Sequence, residues 1–148
     1  MILLAFWYDF LLWAVPIIIA TIIIIIFNSI IFARNHVNKA WYNIDVLLKQ
    51  RYDELPNLVE TVKGYAKHEK TVFKEVAEAR TMHLKAESVA EESDANIKAV
   101  KGIKSLFAVA EKYPKLKANK NFLKLQSRIS ELEDIIADRR EYYNDAVF

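Results

Sequence analysis

Chemistry in this chain of 148 residues would have to come from three histidines, a scatter of carboxylates and lysines, and a few hydroxyls, because there is no cysteine. That absence removes disulfides, thiolate nucleophiles and cysteine-held zinc or iron–sulfur centres. The densest candidate is Tyr65-Ala66-Lys67-His68-Glu69, which closes the run PNLVETVKGYAKHE from Pro56 to Glu69. His68-Glu69 could open the HExxH pattern of a zinc hydrolase, but Val72, followed by Phe73, stands where the second histidine is needed. A carboxylate-bridged di-metal centre in a helical bundle needs Glu-x-x-His on two helices, and none of His36, His68 or His83 has a glutamate three residues before it. The serines lie outside any nucleophile elbow, and two glycines make no phosphate-cradling loop. The pattern therefore predicts no catalytic residue, no cofactor and no metal, with His68 and Glu69 hydrogen-bonded or solvated at a helix edge.

A second constellation is basic: Lys112, Lys115, Lys117, Lys120, Lys124 and Arg128, with Tyr113 and Phe122 interleaved. Aromatics among lysines can bind single-stranded nucleic acid. Both aromatics, however, fit the core periodicity of flanking helices, and beyond the N-terminus the chain carries 21 basic against 18 acidic groups, so no nucleic acid is expected. The six residues instead make a candidate docking surface for an acidic partner or a second copy. The acidic segment Glu87 to Asp94 is a complementary candidate for the same contact.

The elements that would position these residues begin with an apolar one. From Val15 to Phe32 the sequence VPIIIATIIIIIFNSIIF holds no charge, and only Thr21, Asn28 and Ser29 interrupt it. At 1.5 Å per residue such a run spans about 27 Å, close to a hydrocarbon core of about 30 Å. Residues 1–33 read as a retained membrane anchor, since a cleavable signal would need a basic start, a shorter apolar stretch and a small-residue cleavage site. Met1 to Ala14 make the apolar region long for one straight span, and a kink or break is expected at Pro16. Trp7, Tyr8 and Trp13 suit headgroup level, and Asp9 either reaches the headgroups or needs a partner. Arg34, Lys39, Lys49 and Arg51 follow the span while nothing basic but the terminal amine precedes it. The positive-inside rule then puts the N-terminus outside a cell membrane and residues 34–148 in the cytoplasm, with Arg34 and Lys39 at the interface.

Beyond the anchor, apolar and semi-apolar residues recur at helical spacing from Val37 through Ala40/Trp41, Ile44, Leu47/Leu48 and Leu55 to Leu58/Val59, Val62, Tyr65/Ala66, Phe73, Val76 and Ala79, the mark of amphipathic helix. Pro56 falls inside this run. Asp53 as N-cap with Pro56 in a first turn predicts a new helix there, whereas the unbroken phase argues for continuity. Gly64 costs about 1 kcal/mol against alanine inside a helix and calls for close approach of another helix, with Trp41 or Tyr65 nearby. Glu87 to Asp94 reads as a loop ending in a Ser93 or Asp94 cap. A third helix follows with the stripe Ile97, Val100, Ile103, Leu106/Phe107 and Ala110, ending before Tyr113-Pro114. Asn119 caps the last helix, whose stripe is Phe122, Leu125, Ile129, Leu132, Ile135/Ile136, Arg139, Tyr142 and Ala146. Long helices joined by short loops predict an all-α fold: a transmembrane helix and then an antiparallel four-helix bundle, with a parallel coiled-coil stalk as the alternative.

Five segments together resemble the LemA family of membrane-anchored helical proteins: RNHVNKAWYNID (Arg34 to Asp45), RYDELPNLVETVKGYAKHE (Arg51 to Glu69), EAR (Glu78 to Arg80), YPKLKANKNFLKLQ (Tyr113 to Gln126) and IADRREYYN (Ile136 to Asn144). Relatives run on past this point into a further YN and an F-P-containing tail. The resemblance implies an N-terminal transmembrane helix, a cytoplasmic antiparallel four-helix bundle and no established enzymatic activity. Some relatives are associated with building intracellular membrane compartments. The expectation is a non-enzymatic scaffold that contacts membrane lipid, forms homo-oligomers and organises membrane or membrane-protein assemblies. The rival is a regulatory adaptor that binds a membrane enzyme or receptor.

Overall fold

A computed structural model describes the backbone of residues 2–147 and the side chains of residues 12–147. The chain is all-helical: α1 (Ile2–Lys63), α2 (Lys70–Lys85), α3 (Val89–Lys112), a single turn α4 (Pro114–Lys117) and α5 (Lys120–Val147). Two compact units divide it, residues 1–42 with 142–148, and residues 43–141.

In the first unit α1 carries the apolar run, and it passes Pro16 without a break. Its most apolar stretch has a mean hydropathy of 2.8 and none of it is buried within the chain. Isoleucines from Ile17 to Ile30 stand half to two-thirds exposed on every side of the helix, a distribution consistent with membrane anchoring. Thr21 Oγ1 closes on its own helix by donating to Ile17 O at 2.8 Å. The end of α5 meets α1 just past this run: Tyr142 Oη and His36 Nε2 lie 2.9 Å apart, and Trp41 meets Tyr143 edge-on at 5.6 Å.

The second unit holds the core. α1 contributes Ile44, Leu48, Leu55, Leu58 and Val62, all with no exposure, and this stripe corrects the helix start expected at Asp53. Pro56 lies within α1 and leaves the carbonyl of Tyr52 without its helical donor. Tyr52, Leu55, Leu58 and Val62, buried on either side of the proline, hold the helix to one face through it. The chain turns instead at Gly64 to Glu69, where Tyr65 and Ala66 N–H groups close on Val62 O.

Pro56 is thus not a helix junction and Gly64 is. Gly64 is exposed, and a Cβ there would meet only Thr61 O at 3.4 Å, so no second helix approaches it. The close approach occurs at Gly102, where a Cβ would come within 2.8 Å of Val76 Cγ2.

Gly102 lets α2 and α3 pack into a hairpin. Val76 meets Gly102, Glu78 pairs with Lys98, and His83 pairs with Glu92, so positions rise along α2 as they fall along α3. The Lys98 ammonium, hydrogen-bonded to Glu78, holds that carboxyl below the usual carboxylate range. The turn is shorter than the acidic loop expected at Glu87 to Asp94. Ser88 is the N-cap of α3, with its Oγ accepting from Glu91 N at 3.2 Å, while Glu91 Oε2 accepts from Glu87 N at 2.8 Å. The buried face of α3 also differs from the expected stripe in its first half. Ile97 is 65% exposed, and Glu92, Ala95, Asn96, Ala99, Gly102 and Ile103 point inward instead.

α3 stops at Lys112, before Tyr113-Pro114, as the proline requires. Pro114 opens α4, whose Leu116 is fully buried. Asn119 Oδ1 accepts from Phe122 N at 3.0 Å, the cap expected for α5. The buried residues of α5 include Phe122, Ile129, Leu132 and Ile136, and Phe122 meets Phe107 of α3 edge-on.

Candidate functional site

The candidate residues fall in separate places. His68 is exposed in the turn between α1 and α2, and Glu69 N-caps α2 with no side-chain hydrogen bond of its own. Trp13, Arg34 and Lys39 are exposed on α1, while Trp7 and Tyr8 lie outside the described side chains, as does Asp9.

The six basic residues are all exposed along the end of α3, α4 and the start of α5, with acids beside them that linear order hides. Lys117 Nζ donates to Glu111, and Arg128 Nη1 donates to Glu131 Oε2 at 3.1 Å. Lys124 and Arg128 also border a groove between α1 and α5 that Glu54 and Glu60 line from the other side. This surface is mixed in charge.

The complementary acidic segment is also partly committed. Glu92 is buried against His83, and Glu91 is occupied in capping Glu87 N, so Glu87 and Asp94 carry what free charge the turn offers.

The densest polar chemistry lies inside the second unit, at residues that the sequence alone does not bring together. Arg51 has no exposed surface, and its Nη1 donates to Glu133 Oε1 at 2.8 Å, tying α1 to α5. Next to it Tyr52 stacks on His83 with ring centroids 4.0 Å apart and planes 13° apart, tying α1 to α2. The Arg51 guanidinium carbon lies 4.9 Å from the Tyr52 ring centre. His83 Nδ1 in turn lies 2.7 Å from Glu92 Oε2 on α3, and Asn96 is buried one helical turn beyond Glu92. One polar layer therefore crosses α1, α2, α3 and α5.

Its electrostatics follow from burial. Desolvation pushes the Tyr52 phenol up from 10.0 to about 12, against the pull of the Arg51 charge and with the help of Glu92. Arg51 Nε and Nη2, the Tyr52 hydroxyl, Glu92 Oε1 and Asn96 Oδ1 have no hydrogen-bonding partner among the described residues. Donors and acceptors are balanced in this set, so the layer does not select an ion of one sign. A histidine held by a carboxylate is half of a general-base arrangement. Here the imidazole face is covered by Tyr52, and among the described residues no hydroxyl nucleophile is hydrogen-bonded to its ring. No group of three or more His, Asp or Glu could hold a metal ion among the described residues. The signal that could have found the layer was the fit of Arg51 to the α1 stripe beside Leu48 and Leu55, which ordinarily marks a polar residue as core.

An exposed apolar helix, a packed helical unit and a buried polar layer together define a helical protein with one candidate membrane helix. The LemA family profile matches residues 40–148, and the chain belongs to the LemA family. A search of curated proteins finds no match.

Proposed function

We propose that this protein is a non-enzymatic scaffold of the membrane: a single-span chain with its N-terminus outside and residues 34–148 in the cytoplasm, self-associating to organise membrane or membrane-protein assemblies. The domain is read as an antiparallel four-helix bundle of the C-terminal part of α1 with α2, α3 and α5. In support, partners run in opposite order along α2 and α3, and along α1 and α2, where Tyr52 meets His83 and Lys63 meets Phe73. The observation that carries the scaffold reading is the commitment of the interior polar groups to helix–helix contacts, in a chain whose first helix also carries a fully exposed apolar run. Groups used to tie helices together define shape, and shape is what a scaffold supplies.

Size measurement of the full chain in mild detergent, paired with imaging in native membrane, tests this reading. A defined homo-assembly and a lattice, ring or cage are expected. A monomer that enriches one membrane enzyme or receptor would replace the scaffold with a regulatory adaptor.

A further inference from the structure

Among the three polar residues of the apolar run, two are hydroxyls and one is not. Thr21 turns its hydroxyl back onto Ile17 O at 2.8 Å, and a serine such as Ser29 has the same reach to its own helix. Asn28 differs, because its carboxamide carries two N–H donors and a carbonyl acceptor, more than one helix can satisfy. It is exposed on α1, and no described residue of the chain hydrogen-bonds to it. It stands four residues before Phe32 and six before Arg34, about 6 Å and about 9 Å along the axis, so in a bilayer it lies within hydrocarbon, where lipid tails offer no partner.

We propose that Asn28 is a self-association site within the membrane, its partner being Asn28 of a second copy. A carboxamide is self-complementary: across a two-fold axis each supplies the donor and the acceptor the other lacks. The helix is built to allow this. Thr21 and Asn28 are one heptad apart and share a face with Ile24, Ile25 and Phe32, so a second helix packing along that seam brings the two carboxamides together. A single polar residue at such a position sets register and copy number. The inference rests on the membrane-spanning, self-associating reading above and assigns one contact to it.

The test uses full-length chains carrying donor or acceptor fluorophores, reconstituted in phosphatidylcholine vesicles and titrated by protein-to-lipid ratio. Asn28→Leu is expected to raise the ratio needed for half-maximal energy transfer about tenfold, in line with one interhelical hydrogen-bonded pair. Asn28→Gln keeps the wild-type curve, and Ser29→Ala leaves it unmoved. If wild-type chains associate and Asn28→Leu follows the same curve, the Asn28 contact is wrong while self-association stands. Equal losses in Asn28→Leu and Ser29→Ala also overturn it, since they indicate a general effect on the helix. No transfer by wild-type chains at any ratio defeats the contact and the self-associating scaffold together.

Discussion

Arg51 is the residue on which the interior chemistry turns. A buried guanidinium is tolerated only while something opposes its charge, and Glu133 is the one carboxylate hydrogen-bonded to it among the described residues. Glu133→Ala is therefore expected to destabilise the protein by about 3 kcal/mol in urea, because it strands a buried charge. Removing both charges with Arg51→Met and Glu133→Leu should cost much less, since the desolvation penalty disappears with them. A double variant no more stable than Glu133→Ala would show that the ion pair is not what holds α1 to α5. Tyr52 gives a matching prediction in pH. Its phenol titrates near 10.0 when unfolded and about 12 when folded, so between those values the unfolded chain binds fewer protons than the folded one. Its contribution is complete below pH 10 and is lost as pH rises toward 12, with a ceiling of about 3 kcal/mol. The measurement is the stability difference between the wild type and Tyr52→Phe, which isolates the phenol. That difference should stay flat to pH 10 and then fall. A flat difference to pH 12 would mean that the hydroxyl reaches water.

At the scale of helices, the α2–α3 hairpin depends on Gly102 and Ser88. Gly102→Ala gains helix propensity of about 1 kcal/mol, yet its methyl would press on Val76 Cγ2, part of a side chain that is stiff in a helix. Overpacking of this kind costs about 1 to 3 kcal/mol, so a net loss is expected. Adding Val76→Ala should make the two changes couple favourably, a sign readable in a thermal double-mutant cycle. Gly64→Ala, with no second helix near it, should leave the melting temperature unchanged or higher. Ser88→Ala should cost about 1 kcal/mol by removing the α3 cap. These residues also mark what the sequence makes legible. The end of α3 before Tyr113-Pro114 and the Asn119 cap follow from backbone rules local to a few residues. The α5 stripe from Phe122 to Ile136 follows from periodicity. Pro56 misleads because a proline reports its local cost and not the burial of Leu55 and Leu58 that offsets it. Ile97 misleads because apolar character is read as inward, whereas α3 turns Glu92, which pairs with His83, and Asn96 into the interior. The Ser88-Val89-Ala90-Glu91 capping signature was present in the chain, hidden within a segment whose acidity reads as loop.

For the molecule as a whole, the segregation of charge predicts an orientation for the proposed single-span chain in a bilayer. The only charge before Arg34 is Asp9, and the first basic groups after the apolar run are Arg34, Lys39, Lys49 and Arg51. Arg51 ends fully buried, but positive-inside sorting acts on the nascent chain, before the Glu133 pairing exists, so under the proposed orientation all four would count toward retention in the cytoplasm. The chain has no cysteine, and single introduced cysteines report position without background. With a membrane-impermeant maleimide, Ile2→Cys should label in intact cells and Lys115→Cys, on exposed α4, only after the membrane is opened. The reverse pattern would place the helical domain outside and contradict the proposed orientation. Changing Arg34 and Lys39 to glutamate removes the two basic groups nearest the span and leaves the buried Arg51–Glu133 pair untouched. That variant should deliver a mixed population in which part of the Lys115→Cys protein labels from outside. If labelling stays strictly internal, the four basic residues do not set the orientation, and the asymmetry must be imposed by the domain's resistance to translocation.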